Sequence, residues 1–255
     1  MKDLPLDPAL PIEKRCRVCG SEYVAYLRHV PMLQMPLLTP MYICLGCELM
    51  MHPQIYRESD EKLQKDAEWH VSMEERNRGW ARQFWDGVQA EFPKIRSVLE
   101  IGCATGSFLS VAQERGLTTR GHDNNPHVRA AARERHGIDV DMSLWSNATC
   151  VEKYDLIVAI MVLEHLVQPA RLMGEIGAYC RRMGSAAYVS VPFNAERHHW
   201  PDYWVEKPEA GNPLFLCDVH LNHFSRKSFE LMASSAGARA IRRFDYGWMG
   251  YWLEF

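Results

Sequence analysis

The stretch "VLEIGCATGSFL", residues 98–109, constrains this chain more than any other. Val98, Leu99 and Ile101 read as a buried parallel strand, while Phe108, Leu109, Val111 and Ala112 continue at helical spacing. Gly102 to Gly106 is therefore a strand-to-helix turn. Glycine in such a turn permits positive φ or close approach of the backbone to a ligand, and the first amides of the helix point outward without partners. The turn lacks both the G-x-G-x-x-G spacing of a dinucleotide fingerprint and the G-K-[ST] that ends a phosphate loop. Glu100, an acid at the strand tip, suits a cationic ligand better than a pyrophosphate.

Beyond this turn, strand-like and helix-like segments alternate, as they do in a doubly wound, mostly parallel sheet. Thr118 to His122 reads as the second strand. In "DNNP", Asn125 is the expected N-cap and Pro126 the first residue of a helix reaching His136. Ile138 to Val140 reads as a short third strand, "YDLIVAI" as a fourth, apolar throughout as in a sheet covered on both faces, and "AAYVSVP" as a fifth. A helix is expected from near Glu164, its capping acid, through Leu172, Ile176 and Tyr179, and another from Ser225 to Ala236. Ligands of such sheets sit beyond the carboxyl ends of the strands. Gly102, Asp123 and Met161 lie at such ends, and Asp123 comes after the first turn at the interval where an acid meets ribose hydroxyls.

At 255 residues with 47% apolar content, the chain can bury one large core and a small appendage. The appendage is expected at the N-terminus, where Cys16 and Cys19 in "CRVCG" and Cys44 and Cys47 in "CLGC" form two C-x-x-C pairs. Four thiolates on two tight turns make a closed tetrahedral site, the form of structural Zn2+ with no open catalytic position. Pro31, Pro36 and Pro40 between the pairs predict short strands and loops. From Glu58 to Phe92 the chain turns helix-forming, with Trp69, Met73, Trp80, Phe84, Trp85 and Val88 spaced by threes and fours, as a core-packing face or a lid. The expected division is a zinc ribbon at 1–57, a helical linker or lid at 58–94 and a ligand-binding domain at 95–255.

A formal charge of −3 and a pI near 6.4 disfavour binding through nucleic-acid backbones, although Lys14, Arg15 and Arg17 form a local basic cluster. No stretch approaches the ~20 apolar residues of a membrane span, and the N-terminus lacks signal-peptide form, so a cytoplasmic location is expected.

The set "VLEIGCATGSFL", "GHDNNP" and "YDLIVAIMVLEHL" resembles the class I S-adenosylmethionine-dependent methyltransferases in order and spacing. That resemblance implies a Rossmann-like seven-stranded sheet and a sulfonium nucleoside, free of phosphate, in the pocket. It implies Glu100, Gly102, Ala104 and Gly106 around the methionine part, Asp123 on the ribose, and Asp141 or Met142 on the adenine. Cys103, Thr105, Phe108, Asn124, Met161 and Val162 complete the candidate cofactor set.

A narrower resemblance, to deoxysugar C-methyltransferases and related polysaccharide-cluster methyltransferases, uses the four-cysteine segment together with "HLNHFS". Their late motif reads Tyr-His-Glu-His before Phe-Ser; here Cys217, Asp218, Val219 and His220 precede Phe224 and Ser225, so only the final His matches. The likeness implies a small hydroxylated acceptor, a sugar or sugar nucleotide, methylated at oxygen or carbon. Methyl transfer requires alignment of donor and nucleophile and removal of a proton. His220 is the candidate base, since imidazole titrates near neutral pH, and His165 the candidate contact to cofactor or acceptor. Trp200, Tyr203 and Trp204 could stack on a sugar face or anchor a loop by burial. Competing readings are an RNA methyltransferase gripping its substrate through the ribbon and a cofactor-binding scaffold without turnover.

Overall fold

The computed structural model describes residues 12–31, 38–54, 59–192, 219–247 and 250–255. In chain order its strands are β1 (Val24–Pro31), β2 (Leu38–Cys44), β3 (Met50–Met51), β4 (Ser97–Ile101), β5 (Thr118–His122), β6 (Val140–Asp141), β7 (Leu156–Ile160), β8 (Ala186–Ser190), β9 (Asn222–His223), β10 (Ala240–Phe244) and β11 (Gly250–Glu254). The α-helices are α1 (Asp60–Ser72), α2 (Glu74–Glu91), α3 (Ser107–Glu114), α4 (Pro126–His136), α5 (Pro169–Met183) and α6 (Arg226–Ser235), with a 3-10 turn at Leu163–His165.

The chain divides into two compact units: Met1–Arg57 with Leu163–Gly174 and Val191–Ala236, and Glu58–Val162 with Glu175–Ser190 and Gly237–Phe255. They cut across the linear division at 57 and 94. The helical stretch 60–91 folds with the large sheet, and the described residues of 163–174 and 219–236 fold with the N-terminal segment.

In the larger unit the sheet order is β10-β11-β8-β7-β4-β5-β6. β5, β4, β7 and β8 pair in parallel, as does the short β6, while β11 runs antiparallel to β8 and to β10. This is the seven-stranded, mostly parallel, doubly wound sheet expected. β4 stands between β5 and β7, so the chain leaves it in opposite directions, and a crevice opens at such a switch point. β7 buries Leu156, Ile157, Val158 and Ala159 completely, as a strand covered on both faces must.

The aromatic stripe of the linker divides. Met73 closes α1 and opens α2, so the stretch is two helices. On α2, Phe84 and Trp85 are fully buried against Phe108, and Phe84 also packs on Tyr188 and Phe244. Each such ring contributes about 2–3 kcal/mol by burial. Trp69 on α1 is instead 53% exposed. The stripe therefore reaches the core only through its second half.

Two boundaries differ from expectation for local reasons. Ile138 is used to close α4, its N–H donating to the Ala132 carbonyl after left-handed Gly137, so the third strand starts at Val140. The helix expected near Glu164 begins at Pro169, whose ring fits a first turn but not a helix interior. Glu164 lies in the 3-10 turn instead and caps nothing.

The smaller unit is a four-stranded antiparallel sheet, β1-β2-β3-β9. Pro31 and Pro40 lie in strands of eight and seven residues rather than in short pieces, and Pro36 is outside the described residues. Pro40 lies inside β2, paired with His29, and its nitrogen faces the β3 side, as does the N–H that Cys44 donates to Leu49. β3 pairs only with Tyr42 and Ile43 there, so the missing N–H of Pro40 interrupts no ladder. β9 completes the sheet through Met50↔His223 and Met51↔Asn222.

Candidate functional site

In the larger unit the turn after β4 is built from backbone under constraint. Gly102 and Gly106 have φ of +71° and +75°, and Ala104 between them is also left-handed at +44°. A non-glycine residue there is strained, and three further bonds hold the turn closed. Gly102 and Cys103 both donate N–H to the His122 carbonyl, at 2.7 and 3.1 Å, and Ala104 donates to Asp123 Oδ2 at 2.9 Å. Across the switch point, Met161 comes directly after β7 with φ of +55°, and its N–H donates to the Ser190 carbonyl at 2.9 Å. A Cβ on Gly102 would stand 2.6 Å from Val162 Cγ2. The strained residues of this unit thus sit at the carboxyl ends of β4 and β7.

The electrostatics are acidic. Glu100 is 4% exposed, its Oε2 has no hydrogen-bond partner among the described residues, and burial, with the charge of Asp123 added, holds its carboxyl well above the usual range. Asp123 accepts from Ala104 N–H through one oxygen and from Asn125 N–H through the other, both at 2.9 Å. Burial raises its pKa, against those two bonds and the nearby His70. α1, which carries His70, is held beside Asp123 by the Asn125 amide donating to the Leu63 carbonyl at 2.9 Å and by His127 pairing with Asp60 at 2.8 Å. An orphaned buried carboxylate beside a backbone cradle without side chains fits a ligand with a cationic amine or sulfonium and a ribose; the cradle offers amides and the acids offer acceptors.

The expected residues are placed unequally. Glu100, Gly102, Ala104, Gly106 and Asp123 converge on the turn, with Val162 against Gly102. Cys103, Thr105 and Phe108 turn their side chains into the interior: Cys103 Sγ fills the space beside Gly121, Thr105 Oγ1 lies 3.2 Å from Ser107 Oγ, and Phe108 belongs to the aromatic core. Only their backbone can meet a ligand. Asn124 is exposed and Met142 half-buried. Asp141 accepts from Ser143 N–H at 2.8 Å and from Arg120 at 2.7 Å, and these bonds hold its pKa below the usual range. Residues 196–204, with Trp200, Tyr203 and Trp204, and Cys217 and Asp218 lie outside the described residues.

The smaller unit brings all four cysteines together. Cys16 and Cys47 sulfurs are 3.5 Å apart, as are those of Cys19 and Cys44. That is far beyond a disulfide, and close to the ~3.8 Å edge of a tetrahedron of sulfurs around a metal. Val18 and Cys19 N–H groups donate to Cys16 Sγ at 3.4 and 3.5 Å, and Glu48, with φ of +66°, turns the second knuckle. In the basic cluster beside it, Lys14 and Arg15 are exposed and Arg17 is turned inward. Arg17 donates to the Leu221 carbonyl at 3.0 Å, to the His52 carbonyl at 2.9 Å and to Glu13, while Arg15 pairs with Glu22 at 2.6 Å.

His165 and His220 meet in this same unit, their rings 4.8 Å apart and nearly perpendicular. His165 Nδ1 bonds to the Val219 carbonyl at 3.0 Å, and its Nε2 lies 3.8 Å from Glu164 Oε1. Glu164 is fully buried, neither carboxylate oxygen has a hydrogen-bond partner among the described residues, and burial lifts its pKa to about 8. Asn222 Nδ2 faces the carbonyls of the 3-10 turn, Leu166 at 2.6 Å and Leu163 at 3.2 Å. His52 and His223 pack near by, their rings 5.7 Å apart, and burial holds both neutral. Glu164 as a buried acid and Asn222 as the brace of its turn are not legible in the sequence. The one hint is the two-residue spacing of His220 and Asn222 in "HLNHF".

The switch-point cradle on a 3-2-1-4-5-7-6 type of sheet defines the class I methyltransferase fold. Residues 72–242 match the Methyltransferase domain family, and the chain belongs to that family. Among solved structures, it resembles human N-acetylserotonin methyltransferase in complex with S-adenosylmethionine (14% identity, TM-score 0.55, covering 77% of this chain and 56% of that one). It also resembles Streptomyces venezuelae DesVI (15%, TM-score 0.54, covering 78% and 99%). A third similar structure is PigF with S-adenosylhomocysteine (18%, TM-score 0.56, covering 78% and 62%). At these identities the likeness is one of fold, and the chain spans little more than half of the human enzyme's chain. No curated protein matches it significantly. No helix among the described residues is long and apolar enough to cross a membrane.

Proposed function

We propose that this protein transfers a methyl group from S-adenosylmethionine to a small hydroxylated acceptor, sugar-like in character, at oxygen or carbon. The observation that carries the reading is Glu100, a buried carboxyl with an orphaned oxygen beside the strained Gly102–Gly106 turn. A cationic amine or sulfonium is the partner its environment lacks. When bound, S-adenosylmethionine supplies a methyl group activated by its sulfonium. Glu100 and the turn amides would hold its methionine part, and Asp123 would accept from the ribose hydroxyls.

His220 is the residue we assign to take the acceptor's proton, with His165 beside it. The sugar-like acceptor rests on the late His-containing motif and its likeness to sugar-modifying methyltransferases. The four cysteines would hold Zn2+ in a closed shell that folds the smaller unit and takes no part in the chemistry. The inward guanidinium of Arg17 weighs against an RNA substrate gripped by the ribbon.

Calorimetric titration of the zinc-loaded protein with S-adenosylmethionine, in parallel with Asp123→Ala, tests the cofactor site. Binding that the variant weakens supports it, and methyl transfer to a panel of nucleotide sugars then tests the acceptor class. Absence of binding by folded protein overturns the enzyme reading. Salt-dependent RNA binding with methylation would replace the sugar-like acceptor with RNA.

A further inference from the structure

Glu164, His165 and His220 form a second cluster of donors in the smaller unit, separate from the four cysteines. One ligand atom from each lies within 4.8 Å of the others. Three independent features prepare them. Glu164 is fully buried and, among the described residues, neither of its oxygens has a hydrogen-bond partner, an arrangement that costs several kcal/mol unless something compensates it. His165 is oriented through Nδ1 on the Val219 carbonyl, which assigns the proton to Nδ1 and turns the lone pair of Nε2 toward Glu164; such a carbonyl is the usual outer partner of a metal-bound imidazole. The turn carrying Glu164 and His165 is braced by Asn222, only two residues from His220, so the ligands from two chain segments are tied together by one amide.

We propose that Glu164, His165 and His220 bind a divalent cation of the Mn2+, Fe2+ or Zn2+ class in a two-histidine, one-carboxylate site with open positions. Mixed nitrogen and oxygen donors suit these ions, whereas the four thiolates select zinc. Three protein ligands leave room for an oxygen of the acceptor, a hydroxyl or a carboxylate. In the loaded protein His220 is a ligand, so its role as a free base belongs to the metal-free state. The acceptor rests on the methyl-transfer reading above; the ligand set does not.

The test uses full-length protein carrying one equivalent of zinc, titrated with Mn2+ while free Mn2+ is followed by electron paramagnetic resonance. One Mn2+ per chain should be taken up, with affinity falling ~10-fold or more in both Glu164→Gln and His165→Ala. A parallel sample loaded with Co2+ at the four cysteines gives an intense thiolate-to-cobalt band, whose retention in each variant shows that the unit is folded. Failure of the wild type to take up Mn2+, or uptake unchanged in both variants, overturns the proposal. S-adenosylmethionine titration of the same samples reports the cofactor site separately, so either reading can fail alone.

Discussion

Asp123 holds Ala104 in a left-handed conformation: its Oδ2 accepts the Ala104 N–H at 2.9 Å, bridging the end of β5 to the strained turn after β4. The acid proposed to meet the ribose is thus also the brace of the cradle. Asp123→Ala should weaken S-adenosylmethionine binding ~10-fold or more and cost about 2–3 kcal/mol of stability, because two charge-assisted backbone bonds are lost. Asp123→Asn, which keeps one carbonyl acceptor, should fall between. Calorimetry and denaturant titration of the two variants check this.

Glu100 couples binding and stability to pH. Its folded-state pKa lies well above 4.5, so the folded protein keeps a proton that the unfolded chain releases. Its contribution to stability therefore falls as pH rises from about 4.5 through the raised folded pKa. Glu100→Gln should remove that slope and stabilise the ligand-free protein at neutral pH. A cationic cofactor favours the ionised carboxyl, so below the raised pKa its binding should expel a proton and weaken by up to ~10-fold per pH unit. In Glu100→Gln the affinity should be lower and flat across the same range. Calorimetry in buffers of different ionisation enthalpy counts the proton.

Gly102→Ala combines two penalties: left-handed φ for an alanine, about 1–2 kcal/mol, and a Cβ 2.6 Å from Val162 Cγ2. Its melting temperature should drop, and cofactor binding should be lost or severely reduced. Adding Val162→Ala should recover the steric part and leave the conformational part, a positive coupling measurable in a double-mutant cycle.

Removal of zinc should act on the smaller unit. A strong chelator, or Cys44→Ser, is expected to release one zinc per chain and expose the fully buried core residues Leu49 and Met51. Zinc released against a colorimetric indicator, with hydrogen exchange over residues 38–51, tracks both events. If these amides stay protected after zinc leaves, the metal does not fold this sheet.

Much of the larger unit is legible in the sequence because its signals are local. β5 spans Thr118–His122 and α4 starts at Pro126 behind the Asn125 cap, both as the residues imply, since strand periodicity and cap chemistry act over a few positions. The placement of Glu100, Gly102 and Asp123 at the ends of β4 and β5 is readable for the same reason. The features that escape a sequence reading depend on distant partners. β9 is two residues long and carries no periodicity, so nothing in "HLNHF" shows that it pairs with Met50 and Met51. Glu164 looks like a helix cap until Pro169 is weighed as the true start. The pairing of Asp141 with Arg120, on the neighbouring strand, likewise cannot be read from either residue's local sequence.

The pairing of β3 with β9 also sets a schedule for synthesis. The last strand of the cysteine-bearing sheet lies roughly 170 residues beyond its neighbour, and a ribosome adding ~5–20 residues per second takes about ten seconds or longer to cover that interval. Throughout that time Met50 and Met51 present an open edge, with all the parallel strands of the other unit, β4 to β8, emerging before the missing strand. Both cysteine knuckles are synthesised early, but the histidine cluster is assembled only when nearly all of the chain has been made. A nascent chain arrested before residue 220 would already hold its four cysteines and the Gly102–Gly106 turn and still lack His220.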